Sequence, residues 1–379
     1  MEDLSVAGES KLRMAVIGAG RLGSFHAQKL AARQDVQLVA VVDPVPAQRN
    51  RLAGLCRTQA LAHHRQLFGQ VDAAVVAAPT CCHYQIGRDL LQAGIHCLME
   101  KPLAARLEEA DELVELARHH GLVLQVGHIE RFNPAFEAAL PFVRNPKYIE
   151  AVRAGPYSFR STDIGVVLDL MIHDIELALT LTHASVRRVE ALGLSVLGGH
   201  EDVANARIEF TNGCIATLSA CRVAYEAVRY MHIWAPGGFA RIDFANRMVR
   251  LVRPSQQILQ RRLRLENLCP EEIEAWKLRL VQEHLPCQCL QFDTVDALAL
   301  ELEDFITSIR LGRSPRVTGQ QGRDALAVAE MILEKISTHV WEEGLVGPLA
   351  TPAPTPVPMP HWPETLLSAE TPPLRKAAG

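Results

Sequence analysis

A short apolar run, Met14-Ala15-Val16-Ile17, leads directly into Gly18-Ala19-Gly20-Arg21-Leu22-Gly23 and then into the helix-like stretch Ser24–Arg33. A buried strand, a glycine turn and a helix start in this order form the opening of a dinucleotide-binding βαβ unit. Gly18 permits the tight turn, Gly20 lets the backbone approach a pyrophosphate, and Gly23 lets the helix pack closely on the strand. The free N–H groups and positive dipole end of that helix would face the phosphates. A second strand, Val36–Val42, ends in Asp43, twenty residues after Gly23. An acidic side chain there accepts hydrogen bonds from ribose hydroxyls and repels a 2′-phosphate, which favours NAD over NADP. The competing reading of Asp43-Pro44 is a plain turn, and Arg49 and Arg51 close behind it keep NADP open.

The alternation of strand and helix continues beyond Asp43. Pro46–Leu55 and a short stretch near Leu61–Phe68 are expected to be helical, followed by a strand within Val71–Ala78. A helix from near His83 to Gln92, a strand Ile95–Met99, a helix Leu107–His119 and a strand Leu122–Val126 complete the series. Short apolar strands separated by helices imply a parallel sheet covered on both faces, with ligands beyond the carboxyl ends of the strands. The loops there put Gly18, Gly20, Arg21, Leu22, Gly23, Asp43, Pro79, Thr80, His83, Glu100 and Lys101 on the cofactor side.

After Phe132 the pattern changes to alternating or β-branched segments: Tyr148–Pro156, Val186–Leu197, Ala204–Phe210, Ile215–Val223, Tyr230–Ala235, Phe239–Phe244 and Met248–Val252. These predict a mostly antiparallel sheet with one buried face, interrupted near its start by a helix over roughly Val166–Leu181. Residues 255–292 read as a solvated excursion with a charged helix, Glu271–His284. The stretches Ala297–Leu311 and Gly322–Ser337 read as helices returning to the first domain. The expected fold is therefore α/β. Residues 1–11 form a flexible leader, 12–127 a Rossmann NAD-binding domain and 128–346 a substrate and oligomerisation domain, with a Pro-rich disordered tail over 347–379.

The 379 residues carry a net charge of −4, which leaves no basic footprint for nucleic acid. No apolar run approaches membrane-spanning length, and Met1–Ser10 lacks the basic start and apolar core of a secretory signal, so a cytoplasmic protein without membrane attachment is expected. The nine cysteines form neither a disulfide framework nor a paired zinc pattern. Cys81-Cys82 and Cys287-Gln288-Cys289 are read as reduced thiols, and no metal is assigned.

Two stretches carry the chemistry. Glu100-Lys101-Pro102 places a lysine at a strand's carboxyl end, where it either faces a nicotinamide or simply points to water. Asp169 and His173 are four apart and share a helix face, either as part of a site or as a surface brace. Oxidation of a secondary alcohol needs a base for the hydroxyl proton while hydride leaves for the nicotinamide. His173 suits that role, Lys101 would stabilise the alkoxide, and Asp169 would hold the lysine or a sugar hydroxyl.

GAGRLG, APTxxH at Ala78–His83, EKP at Glu100–Pro102 and DxxxHD at Asp169–Asp174, with Phe305–Arg323, resemble the glucose-fructose oxidoreductase/inositol dehydrogenase (Gfo/Idh/MocA) family over roughly residues 12–338. The resemblance implies NAD(P), homodimers or homotetramers, and catalytic roles for Lys101, Asp169 and His173. Gly127–Pro134 (GHIERFNP) with Ile164–Asp174 is similar to the family's UDP-N-acetylglucosamine 3-dehydrogenases, whose keto product receives nitrogen from a transaminase on the way to lipid A-type lipids. Arg131, Tyr157 and Arg160 then read as diphosphate or sugar ligands or as domain-interface residues, and His128 as a substrate-side or packing residue. Other sugars, inositol or a UDP-uronic acid remain alternative substrates, and an idle NAD-binding regulator is the alternative of a different class.

Overall fold

The computed structural model describes residues 10–159, 163–197, 199–266, 268–341 and 346–350. The first half is a parallel sheet wrapped by helices: β1 (Leu12–Ile17), α1 (Arg21–Ala31), β2 (Val36–Val42), α2 (Pro46–Cys56), β3 (Gln59–Leu61), β4 (Ala73–Val76), α3 (Thr80–Gln92), β5 (His96–Glu100), α4 (Leu107–His120) and β6 (Leu124–Gly127). The strand order is β3-β2-β1-β4-β5-β6, with the order reversing beside β1. Strands buried on both faces explain the unbroken apolar runs: Met14 to Ile17 and Ala73 to Val76 are all buried. The reversal opens a crevice at the carboxyl ends of β1 and β4.

Two local expectations are corrected here. The stretch near Leu61–Phe68 is not one helix, since Gln59–Leu61 pairs in parallel with Ala40–Val42 and only His64–Leu67 forms a 3₁₀ turn. Helix α3 starts at Thr80 rather than His83, with Pro79 at the cap, where its missing N–H costs nothing.

The second half follows α5 (Pro134–Ala139) with β7 (Tyr148–Ala154), a π-helical turn at Val167–Met171, and α6 (Ile172–Thr182). Then come β8 (Val186–Ser195), β9 (Val203–Phe210), β10 (Ile215–Cys221), β11 (Val228–Ala235), β12 (Gly238–Asp243) and β13 (Met248–Val252). The chain continues through α7 (Gln256–Leu259), α8 (Pro270–Arg279), β14 (Cys287–Gln291), α9 (Ala297–Leu311), α10 (Gly319–Thr338) and β15 (Leu349–Ala350). Among the described residues nine strands lie in the order β14-β13-β12-β11-β7-β10-β9-β8-β15, antiparallel except for β7/β10 and β8/β15. The long connection through α6 is what lets β7 and β10 run parallel. One face packs under α5, α6 and α10, with Ile149, Ala151, Leu218, Met231, Ile233 and Ile332 in its core.

The expected excursion over 255–292 is corrected in part: α8 buries no residue, but Cys287–Gln291 adds an edge strand to β13. The reading of 347 onward as a loose tail is corrected at Leu349–Ala350, which pair with β8. Residues 351–379, like 1–9 of the leader, lie outside the described residues. Helix α9 places Leu302, Phe305 and Ile306 against Met14, Val16 and Val75. Helix α10 bridges both cores, with Leu326 in one and Ala329, Ile332 and Ile336 in the other.

Candidate active site

The glycine loop is built by close contact. Gly18 has φ +100° and its N–H donates to the Val42 carbonyl at 2.8 Å; a Cβ on it would strike the Ala77 carbonyl oxygen. A Cβ on Gly23 would strike the carbonyl of Gly18, so the helix lies flush on the turn. Gly20 differs, with no heavy atom within 4 Å of where its Cβ would stand. It also sits at the N-terminus of α1, which no side chain caps. An open glycine beside free helical N–H groups is a fitting cradle for a pyrophosphate. Arg21 and Leu22 lie exposed in the first turn, Arg21 over the Phe25 ring.

Asp43 is buried at the end of β2, and its carboxylate locks this loop. One oxygen accepts from the Ala19 N–H and the other from the Val45 N–H, both at 2.8 Å. Each oxygen keeps a lone pair for a ribose hydroxyl. Arg49 donates to the carbonyls of Asp43 and Pro44 at 3.1 and 2.9 Å, so that nitrogen is committed to backbone.

Across the crevice, Pro79 and Thr80 open α3, and His83 is buried beneath them. Its Nδ1 lies 2.8 Å from the Pro102 carbonyl and its Nε2 lies 2.9 Å from that of Ala78. Burial lowers the pKa of this imidazole although both carbonyls favour its charged form. His83 thereby ties the β4 loop to the Glu100–Pro102 turn. Glu100 in turn contacts His26 Nε2 of α1 at 2.8 Å. Burial alone would raise this carboxyl, but His26, Lys101 and His83 hold it below the ordinary range.

Lys101 leaves the end of β5 and reaches the π turn. Its Nζ donates to the Asp169 carbonyl at 2.6 Å and to Asp169 Oδ1 at 2.9 Å, leaving a third proton for a ligand. The wider turn was not anticipated, and π turns recur at functional sites. His173 follows in the first turn of α6, half-buried, with its Nδ1 sealed and unpartnered. Burial, then the charges of Lys101 and Arg153, the His128 ring and Arg229, push its pKa well below that of a free imidazole. Burial thus favours the neutral ring. The π turn is bracketed from outside the site: Glu201 accepts from the Val167 N–H at 3.0 Å, and Arg222 donates to the Ile164 carbonyl at 2.7 Å. Arg153 on β7 holds both Glu130 and Asp174, the residue after His173, at 2.7 and 2.8 Å.

The remaining expected ligands are not all brought together. Arg131 donates to Glu176 Oε1 and Thr180 Oγ1, both at 2.6 Å, and so braces α6. Tyr157 lies under the Arg222 guanidinium, 5.5 Å from it, and against Phe159. Arg160 lies outside the described residues. His128 is buried edge-on to His173, the ring centroids 5.8 Å apart.

Glu301 of α9 was missed. It is fully buried, both its oxygens lack partners, and it comes within 4.8 Å of His26 and Glu100, a grouping that could hold a cation. Burial, with Glu100 and Asp304 beside it, pushes this carboxyl well above its ordinary range. A signal was present in the sequence. Leu298, Glu301, Leu302 and Phe305 have the i, i+3, i+4, i+7 spacing of a buried stripe.

Residues 12–128 match the family model described as "Oxidoreductase family, NAD-binding Rossmann fold", and 136–239 match the "GFO/IDH/MocA C-terminal domain". The chain is 35% identical over 323 residues to the UDP-N-acetylglucosamine 3-dehydrogenase of Acidithiobacillus ferrooxidans, covering 84% of this chain and 95% of that relative. A solved structure of that enzyme superposes with a TM-score of 0.75 at 34% identity, over 86% of this chain and 98% of the other. The NAD-dependent scyllo-inositol 2-dehydrogenase of Bacillus subtilis is 28% identical over 235 residues, covering 57% of this chain and 69% of that relative. The fold extends to a scyllo-inositol dehydrogenase of Lactobacillus casei with bound NAD(H) and scyllo-inositol, at a TM-score of 0.68 and 20% identity, over 86% of this chain and 97% of the other. With its open glycine cradle, its neutral imidazole and its lysine at the carboxyl end of β5, this chain belongs to the Gfo/Idh/MocA oxidoreductase family and is an NAD-dependent oxidoreductase acting on a CH–OH group.

Proposed function

We propose that the chain oxidises the 3-hydroxyl of UDP-N-acetylglucosamine to the 3-keto sugar. The observation that carries the chemistry is Lys101 Nζ held on Asp169, with a neutral His173 four residues further on. The substrate rests on the relative of that activity, matched over 95% of its length. Bound NAD supplies the hydride acceptor. His173 takes the hydroxyl proton as the C–H hydride leaves, so alcohol and NAD become ketone, NADH and an imidazolium. Lys101 donates to the oxygen as it gains charge, in a site where such a donor acts strongly. Asp169 holds Lys101 through both its carbonyl and its carboxylate.

A keto sugar is the substrate of a transaminase, which is consistent with a place in diamino-sugar, lipid A-type synthesis in the cytoplasm. The domain division at 127/128, a homodimer or homotetramer, and the absence of nucleic-acid and membrane partners belong to the same reading. The outer face of the second sheet supports association, since Tyr148 stacks near Trp234 and Tyr230 near His232 there, all half-exposed. An inositol or free sugar is the second reading, supported by the inositol dehydrogenase relatives.

The test is NADH formation from NAD and UDP-N-acetylglucosamine with a carbonyl trap, comparing wild type with Lys101→Ala and His173→Ala. Turnover in wild type that collapses in both variants is expected. Turnover with inositol alone would overturn the substrate, and equal turnover in all three proteins would overturn the assignment of the residues.

A further inference from the structure

Four cations around the π turn and α6 are matched by carboxylates: Lys101 by Asp169, Arg131 by Glu176, Arg153 by Glu130 and Asp174, and Arg222 by Asp202. Arg229, near the start of β11, differs from them. Its guanidinium has no hydrogen bond or ion pair among the described residues, and the residue is exposed. Its position is nevertheless on the site. Strand alternation puts it on the inner face of the sheet, with the buried Met231 and Ile233. It stands opposite Arg153 in the β7/β11 ladder, and opposite residues share a face. Its charge acts on both His173 and Asp174. An inner-face arginine that stays exposed marks where this face opens, beside the proposed base.

We propose that Arg229 is a substrate-binding residue that holds the phosphoryl groups of the sugar substrate, so that the site selects a nucleoside-diphosphate sugar over a neutral polyol. The inference rests on the reading of the chain as a UDP-sugar dehydrogenase, and it names the residue that recognises the UDP half. A guanidinium presents paired N–H donors that match two phosphate oxygens, and its charge persists at any working pH. The matched arginines are poor substitutes. Turning Arg131 or Arg153 toward a ligand would strand a buried carboxylate, Glu176 or Asp174, without its cation. Arg229 leaves nothing behind. The neighbouring loops fit the rest of a nucleotide. Tyr225, fully exposed, lies four residues before Arg229, and Phe159, 76% exposed, lies on the loop after β7. The two loops are joined, since Gly155 N–H donates to the Cys221 carbonyl at 3.0 Å and Ala224 N–H to that of Gly155 at 3.1 Å. Phe159 stands edge-on to Tyr157 under Arg222, and Arg222 also holds the Ile164 carbonyl just before the π turn. Both exposed rings therefore sit on chain tied to the site, and a flat base is a partner such rings accept by stacking. An inositol offers neither an anion nor a base to these groups.

The test titrates UDP into the full chain saturated with NADH, by calorimetry, for wild type, Arg229→Met and Arg229→Lys. Arg229→Met should weaken UDP by about 10- to 100-fold, as the loss of charge-assisted bonds to phosphate does. Arg229→Lys, which keeps the charge without the paired donors, should fall between the two. In turnover, Arg229→Met should raise KM for UDP-N-acetylglucosamine by a similar factor and leave kcat within a few-fold, because the contact is made in substrate and transition state alike. Affinity for NADH, read separately by fluorescence, should stay within a few-fold of wild type. Unchanged UDP affinity and KM in Arg229→Met would overturn the proposal. An equal loss of NADH affinity would overturn it too, by placing Arg229 on the cofactor. A wild type that turns over inositol and binds no UDP would sink the substrate reading and this inference with it. Turnover of UDP-N-acetylglucosamine that is indifferent to Arg229 would sink the inference alone.

Discussion

At the glycine loop the chain satisfies its own buried polar groups, with both Asp43 oxygens on backbone N–H groups and Gly18 N–H on Val42. Around His173 it does not, and three imidazole nitrogens wait unpartnered behind Lys101. The first region is a cradle whose walls are held by its own backbone, with only the first N–H groups of α1 left free for a ligand. The second, on the proposed reading, holds the base His173 beside the donor Lys101. Its polar surroundings are therefore kept sparse, and its order comes from outside, through Glu201, Arg222 and Arg153.

The strongest way to separate the two regions is Lys101→Ala. On the proposed role of Lys101 as donor to the reacting oxygen, its removal lowers kcat by about 10²- to 10³-fold, while NAD affinity from NADH fluorescence stays within a few-fold of wild type. A parallel loss of NAD binding would show that the regions are one unit. The opposite break is Gly23→Ala, whose Cβ runs into the Gly18 carbonyl. Prising α1 off the turn should cost about 3 kcal/mol, on the order of 100-fold in Kd for NAD, with any enzyme saturated by cofactor retaining most of its kcat.

The same contrast governs what could be read from the residues alone. The glycine turn and Asp43 follow from short contacts such as Ala19 N–H to Asp43, 24 residues apart, so spacing finds them. Lys101 and Asp169 are 68 residues apart, and no periodicity joins them; the chemistry of alcohol oxidation, and then the resemblance of EKP and DxxxHD to a family, put them in one site. The apolar spacing of Val166–Leu181 predicts a helix but cannot distinguish a π turn at Val167–Met171 from an α turn, because both bury nearly the same residues. Arg131 reads equally as a diphosphate or sugar ligand and as a domain-interface residue, because an arginine near a site has both uses, and only the structure shows its contact with Glu176. The strand Cys287–Gln291 escaped because an edge strand needs little apolar patterning, and only its neighbour's free N–H groups call for it.

Arg131→Met tests that bracing role with a smaller effect. Glu176 is 1% exposed, and one of its oxygens already lacks a partner. Burial raises its pKa despite Arg131, so on losing the arginine it can take up a proton rather than stay charged. The loss should therefore fall below the range typical of a broken buried pair, at about 2 kcal/mol in urea unfolding, with KM for the sugar unchanged. A large rise in KM and no loss of stability would return Arg131 to the substrate.

The smallest expected effect is one of pH, and it has opposite signs in two variants. The pKa of His128 falls from 6.5 unfolded to about 3 folded, so its contribution to stability is present above pH 6.5 and is lost as the pH falls toward 3. Glu301 is raised well above 4.5, so the stability it contributes is complete below 4.5 and is lost as the pH rises through its folded value. Between pH 6.5 and 5.5 His128 lowers stability by about 1 kcal/mol on acidification, and Glu301 acts with the opposite sign. Replacing His128 by Phe should therefore make unfolding less sensitive to acid over that interval, and Glu301→Gln should make it more so. Equal slopes in wild type and His128→Phe would mean that water already reaches the ring, and the contrast between a sealed catalytic pocket and a self-satisfied cradle would then fail at its sealed side.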